Sequence, residues 1–94
     1  MESELMKAVI TIVGRDQVGI VAMVSGILAA NGVNVLNINQ NILDGFFNML
    51  MISDISKCKI SLKELQQILQ EKGTAIGLEI KVQHEDIFNI MHRI

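Results

Sequence analysis

Apolar residues recur along this chain with two different periods, and each change of period marks an element. Residues 9–13 read Val-Ile-Thr-Ile-Val. Such a β-branched run predicts a strand over about 6–13, because branched side chains pack well on a pleated surface. The run ends at Gly14-Arg15-Asp16-Gln17-Val18-Gly19-Ile20. Beyond this loop Ile20, Val24, Ile27 and Leu28 fall at helical spacing, and Asn31-Gly32 supplies a usual helix stop. Period two then returns, with Leu36, Ile38, Gln40 and Ile42 alternating with Asn37, Asn39 and Asn41. Asp44-Gly45 predicts a two-residue hairpin turn, followed by a third strand over about 46–53. Counting outward from that turn pairs Ile42 with Phe47, Gln40 with Met49 and Ile38 with Met51 on one face. The other face pairs Asn41 with Asn48, Asn39 with Leu50 and Asn37 with Ile52. The first, mostly apolar set is expected to pack under helices.

A connector over 55–60 carries Lys57 and Lys59, and Ser61-Leu62-Lys63-Glu64 then has capping-box spacing. It predicts a second helix with Leu62, Leu65, Ile68 and Leu69 inward, stopped by Lys72-Gly73. A fourth strand over about 75–83 alternates Ile76, Leu78, Ile80 and Val82 with Glu79, Lys81 and Gln83. Finally Ile87, Ile90, Met91 and Ile94 make a short apolar helical stripe. The stripe is expected to cover apolar residues such as Leu50 and Ile52 on the sheet face away from the main helices. The order β-α-β-β-α-β, with right-handed crossovers and one hairpin, predicts an α+β ferredoxin-like sandwich. Its four-stranded antiparallel sheet carries two helices on one face, plus a short helix at the end, all in one domain over 1–94.

Composition sharpens this picture. Half of the 94 residues are hydrophobic, yet only three are aromatic, all Phe. Core bulk therefore comes from Ile, Leu, Val and six Met. So short a chain buries a small core, and further burial in an oligomer would matter. Charge is unevenly placed, because no Asp, Glu, Lys or Arg occurs over 17–43. A helix without a charged face is generally buried on more than one side. The second strand is an edge strand in this topology, and exposed edges are normally guarded by Lys, Pro or bulges. An uncharged helix beside an unguarded edge predicts a subunit interface, in a homodimer or a larger homo-oligomer.

Several chemistries are excluded. A net charge of −2 is the wrong sign for binding nucleic acid or an anionic membrane. Gly14 and Gly19 have P-loop spacing, but Ile20-Val21 replace the Lys-Ser/Thr that nucleotide binding needs. Gly45-Phe46-Phe47 resembles part of an RNA-recognition motif, yet Asp44 stands where a basic residue belongs and Asn48 where a stacking ring belongs. His84 and His92, with Glu85 and Asp86 nearby, lack zinc-ligand spacing. Cys58 has no His or carboxylate beside it to complete a nucleophilic site, and a single cysteine fits a reducing cytoplasm. No basic segment followed by an apolar core opens the chain. The longest nearly apolar run, 18–30, is shorter than the ~20 residues a spanning helix needs. The expectation is a cytoplasmic, non-catalytic protein without metal or cofactor.

One feature points to a ligand. The loop over 14–20 places free N–H groups, those of Val18, Gly19 and Ile20, at a helix start, with Gln17 beside them as a further candidate ligand contact. There the helix dipole favours a carboxylate or phosphate. Asp16 is expected either to cap that helix or to accept a ligand ammonium, and both roles can hold together.

Asp16-Gln17-Val18-Gly19-Ile20, followed by Asn31-Gly32-Val33-Asn34-Val35 and Gln40, resembles the ACT domain family. That family's loop reads Asp/Asn-x-x-Gly-Ile/Val, and its second strand begins Gly-x-Asn-Ile/Val. The resemblance covers about residues 5–84. The remainder, 85–94, is similar to stand-alone single-ACT proteins, and these to the repeats of the glycine cleavage system transcriptional repressor. The resemblance implies a regulatory module that senses an amino acid or other small effector at a dimer interface and acts in trans on an enzyme or regulator. Asp16, Gly19 and Asn34 are the positions it carries over. Val18 replaces the usual proline, and Gly14 stands where serine-sensing members carry histidine, so serine specificity is not implied. The rival reading is a ligand-free module that uses the same fold to dimerise or to dock an unidentified protein partner.

Overall fold

The computed structural model describes residues 6–85. Its elements are β1 (Lys7–Arg15), α1 (Ile20–Ala30), β2 (Asn34–Leu43), β3 (Phe46–Asp54), α2 (Leu62–Ala75) and β4 (Leu78–His84). The four strands form one antiparallel sheet in the order β2-β3-β1-β4. The ferredoxin-like βαββαβ architecture expected from the apolar periods is therefore present. The stripe expected over 87–94 lies outside the described residues.

The hairpin has the anticipated register. Asp44 and Gly45 both take positive φ, 54° and 81°, the paired left-handed conformation that matches strand twist. Ile42 pairs with Phe47, Gln40 with Met49 and Ile38 with Met51. A bulge at Leu36 shifts the register between Val35 and Asn37. Phe47, Met49 and Met51 are buried with Ile10, Ile12, Val24, Leu28, Leu65, Leu69 and Ile80 in one core between sheet and helices. The facing residues of β2 do not share that burial: Ile38 and Ile42 are 45% and 49% exposed. They lie on the correct face, but they lie at an edge the helices do not cover.

α2 begins as expected. The Ser61 side chain accepts from the Glu64 N–H at 3.1 Å, and Glu64 accepts from the Ser61 N–H at 3.0 Å. Its end differs from the sequence reading, because the helix runs through Gly73 to Ala75 and the left-handed glycine beyond it is Gly77. Gly73 serves packing instead. A Cβ built there would stand 2.8 Å from Ile80 and 3.0 Å from the Leu78 carbonyl oxygen. β4 accordingly starts at Leu78, and Ile76, expected inside the strand, lies exposed in the preceding turn.

Candidate functional site

The loop between β1 and α1 sits at one pole of the molecule, where three turns meet. Its Asp16 N–H donates to the Gly45 carbonyl of the β2–β3 turn at 2.9 Å. The Gln17 side-chain amide donates to the Ile76 carbonyl of the α2–β4 turn, also at 2.9 Å. The loop is thus tethered on both sides by groups far away in sequence. Gln17, a candidate ligand contact from the sequence, spends its amide nitrogen on this tether.

Asp16 does not cap α1, contrary to one of the two roles expected for it. The N-cap is Gly19, in the left-handed region at φ 92°, and no side chain caps the helix. Three residues separate Asp16 from the first helical residue, which puts its carboxylate out of reach of the N2 and N3 amides that a capping residue serves. Asp16 is instead exposed, and its side chain is left available. The first intrahelical bond is Met23 N–H to Gly19 O. The N–H groups of Ile20, Val21 and Ala22 therefore start the helix without intrahelical acceptors. Val21 and Ala22 were missed because the sequence reading placed the helix start at Asp16. A left-handed Gly19 just before the apolar periodicity was the signal that could have found them.

Val18 stands fully exposed at the loop tip, and Leu43, Phe46 and Ile76 expose apolar surface around it. The Arg15 guanidinium lies over the Phe46 ring, 5.5 Å from its centroid, so a cation also flanks the loop. Gly14 has no room for a side chain: a Cβ there would meet Leu78 Cδ2 at 2.6 Å and the Gly77 carbonyl at 2.9 Å. A histidine at this position would therefore clash with the α2–β4 turn.

Asn34 is not part of this pole. It pairs with Asp54, which also pairs with Lys7 at the start of β1, whereas Asp16 follows Arg15 at the end of β1. At ~3.4 Å per residue, the length of β1 separates the two by about 25 Å. A single chain brings Asp16, Gln17, Val18, Gly19 and Ile20 together and leaves Asn34 at the far end of the sheet.

Among the described residues no cluster of His, Cys, Asp and Glu could hold a metal ion, and no helix is long and apolar enough to cross a membrane. Cys58 and His84 line a small apolar pocket with Ile55, Ile60, Leu62 and Leu65, at the end opposite the loop.

Residues 7–83 match the ACT domain family. A UPF0237 protein of Clostridium perfringens is 55% identical over 89 residues, covering 95% of this chain and 100% of that one. The solved ACT domain protein from Streptococcus pneumoniae is 38% identical, with a TM-score of 0.78 over 90% of this chain and 96% of that chain. A candidate glycine cleavage system transcriptional repressor shares the fold, with a TM-score of 0.75 at 23% identity over 87% of this chain and 47% of that one. A family match along nearly all of the sheet and helices, with a relative more than half identical, places the chain in the ACT domain family, whose members are generally regulatory ligand-binding modules.

Proposed function

We propose that the protein is a homodimeric sensor of a small zwitterionic ligand, an amino acid, which acts in trans on an enzyme or regulator and performs no catalysis itself. The observation that carries this reading is the placement of Asp16 and Asn34 at opposite ends of one sheet, with an uncharged edge strand between them that is regularly paired beyond its bulge at Leu36. β2 exposes Leu36, Ile38, Ile42 and Leu43 and carries no charge. Two copies joined antiparallel along β2 would carry the partner's Asn34 to the end where the Asp16 loop lies. A closed twofold contact of this kind builds two equivalent sites, each drawing on both protomers.

In this site the ligand carboxylate accepts from the loop and helix-start N–H groups of Val18, Gly19 and Ile20, extended to Val21 and Ala22. Asp16 and the partner's Asn34 take the ammonium. Gln17 keeps its side-chain oxygen for the ligand while its nitrogen holds the loop. A left-handed Gly19 with open space around its α-carbon lets the ligand approach the backbone closely. The crowding at Gly14 favours a ligand other than serine, since the histidine of serine-sensing members has no room. A reducing cytoplasmic setting fits the single Cys58.

A thermal-shift screen against the standard amino acids tests this proposal, because a ligand that binds only the native state raises its melting temperature. At a concentration of 100 times Kd the gain is about 2.7 kcal/mol, a shift of roughly 10–20 °C for a domain of this size. Absence of a shift with every amino acid would favour the second reading, a protein-docking module. The apolar surface of Val18, Leu43, Phe46 and Ile76 around the loop supports that reading.

A further inference from the structure

The sheet has a second edge, β4, which pairs with β1 on the side away from β2. In an antiparallel pair alternate residues turn both backbone groups toward the neighbouring strand, and those between turn them away. The Val82 carbonyl points away from β1, since it accepts from the Gln66 side-chain amide of α2 at 2.6 Å. By alternation Leu78, Ile80 and Val82 all turn their N–H and C=O groups outward, while their side chains are buried. Glu79 and Lys81 turn their backbone groups to β1 and carry their side chains on the helix-free face. There the carboxylate and the ammonium meet at 3.6 Å and stay largely exposed. A groove of about 450 Å³ runs along this edge, between β4 and the uncharged α2 residues Gln66, Gln70 and Thr74.

We infer that this edge receives a second copy of the chain, the two β4 strands pairing antiparallel about Ile80. Charges on an edge normally keep other strands away, but here they select a register. Centred on Ile80, the pair sets Glu79 of each copy opposite the partner's Lys81, twice over by twofold symmetry. Centred one residue to either side, it would oppose Glu79 to the partner's Glu79 or Lys81 to the partner's Lys81, and like charges directly opposite destabilise a pair. The Ile80 register also brings the outward groups together. Ile80 meets the partner's Ile80 and Leu78 meets the partner's Val82, for about six N–H···O=C bonds. The Val82 oxygen has a second lone pair for this while Gln66 holds the first. Turning Glu79 and Lys81 from each other to the partner costs little, because an exposed ion pair contributes little by itself. The contact lies across the sheet from β2, so it goes beyond the proposed amino-acid site and does not rest on it.

Cross-linking reads the register directly. In a Cys58→Ser background, Glu79→Cys and Lys81→Cys chains carrying tags of different length are mixed in equal amounts and oxidised. Opposed residues of this class have Cα atoms about 4.5 Å apart, within disulfide reach, whereas like positions would stand about 8 Å apart, beyond it. The mixed disulfide should exceed each like-with-like product about tenfold; the twofold excess of random encounter would overturn the inference. A charge swap tests the same contact without new thiols, in an Asn39→Lys background that keeps β2 from masking it. Glu79→Lys and Lys81→Glu should each weaken association about tenfold in sedimentation, and their equal mixture should restore it, because unlike charges then face one another again. Both side chains are exposed, so the far-UV spectrum should not change. Single variants that associate like the parent, or a mixture no better than its components, would overturn the inference. So would an Asn39→Lys chain that stays monomeric up to about 1 mM.

Discussion

Gly26 and Gly73 both lie inside helices, yet alanine should move stability in opposite directions at the two sites. The intrinsic gain from Gly to Ala in a helix is about 1 kcal/mol. At Gly26 an added Cβ meets nothing within 4 Å, so Gly26→Ala should stabilise by ~0.5–1 kcal/mol. At Gly73 the Cβ would stand 2.8 Å from both Ile80 Cγ1 and Cδ1 and 3.0 Å from the Leu78 carbonyl oxygen. Ile80 is itself buried, and the Leu78 oxygen belongs to the β4 backbone, so neither can step aside freely. Overpacking of this kind costs about 1–3 kcal/mol. It offsets the helix gain and leaves Gly73→Ala destabilised by roughly 1 kcal/mol. Ile80→Ala alone should cost ~2–5 kcal/mol, but in its background Gly73→Ala should lose most of its penalty. The coupling in that double-mutant cycle should reach about 1 kcal/mol. Urea unfolding at fixed protein concentration measures all four proteins, and 1 kcal/mol should also appear as a Tm change of about 4–8 °C. Equal stabilisation by alanine at both glycines, or no coupling with Ile80, would refute the close approach of α2 to β4.

Other expectations concern the edge, the cap and one carboxylate. Asn39→Lys places like charges near the middle of the proposed β2 contact while leaving the core untouched, and should weaken association by ~1 kcal/mol, about fivefold in Kd; unchanged sedimentation would remove β2 from the contact. Ser61→Ala should cost ~1 kcal/mol in urea unfolding through loss of the reciprocal cap on α2, and full stability would show the cap to be idle. The Ser56 backbone N–H donates to Asp54 Oδ1 at 2.9 Å and, with the Ser56 side chain and Lys57, holds that carboxyl below its ordinary value of 3.8. The ionised form is the one the fold favours, so this contribution is complete above pH 3.8 and is lost as pH falls through the lowered value. Asp54→Asn should flatten the acid end of the stability profile there, and an unaltered profile would contradict the assignment.

Most of the fold was legible in the residue pattern because its signals are local. Asp44-Gly45 sets the hairpin register, and the alternation of β2 and β3 about that turn then follows by counting. Ser61 and Glu64 announce the start of α2 three residues apart. The readings that failed depended on contacts distant in sequence. Gly73 looks like a helix stop, but it faces Ile80 on a strand the chain has not yet made. Asp16 looks like a cap, but the backbone turns once more through a left-handed Gly19 before the helix begins. The candidate loop itself was legible from its glycines and the apolar helix after it. Its tethers through Gly45 and Ile76 were not, because they join turns that only the folded sheet brings together. The opposite poles of Asp16 and Asn34, by contrast, were implicit in the expected topology, because a crossover helix joins parallel β1 and β2 and so parts the end of one from the start of the other.

That separation supplies the most direct test of the shared site. Asp16→Asn keeps the loop's shape and removes its charge, while Asn34→Ala removes the amide at the other pole. Each variant alone should lose about 1.5–3 kcal/mol of affinity for the amino acid selected by the screen, the range for hydrogen bonds to a charged group. Mixing and re-equilibrating equal amounts of the two should restore tight sites, because half of the resulting dimers pair unlike chains and each of these has one site with both residues intact. By twofold symmetry, calorimetry of the mixture should find parent-like affinity at about a quarter of the parent's capacity. A mixture that binds no better than its separate components would contradict a ligand site built from both protomers.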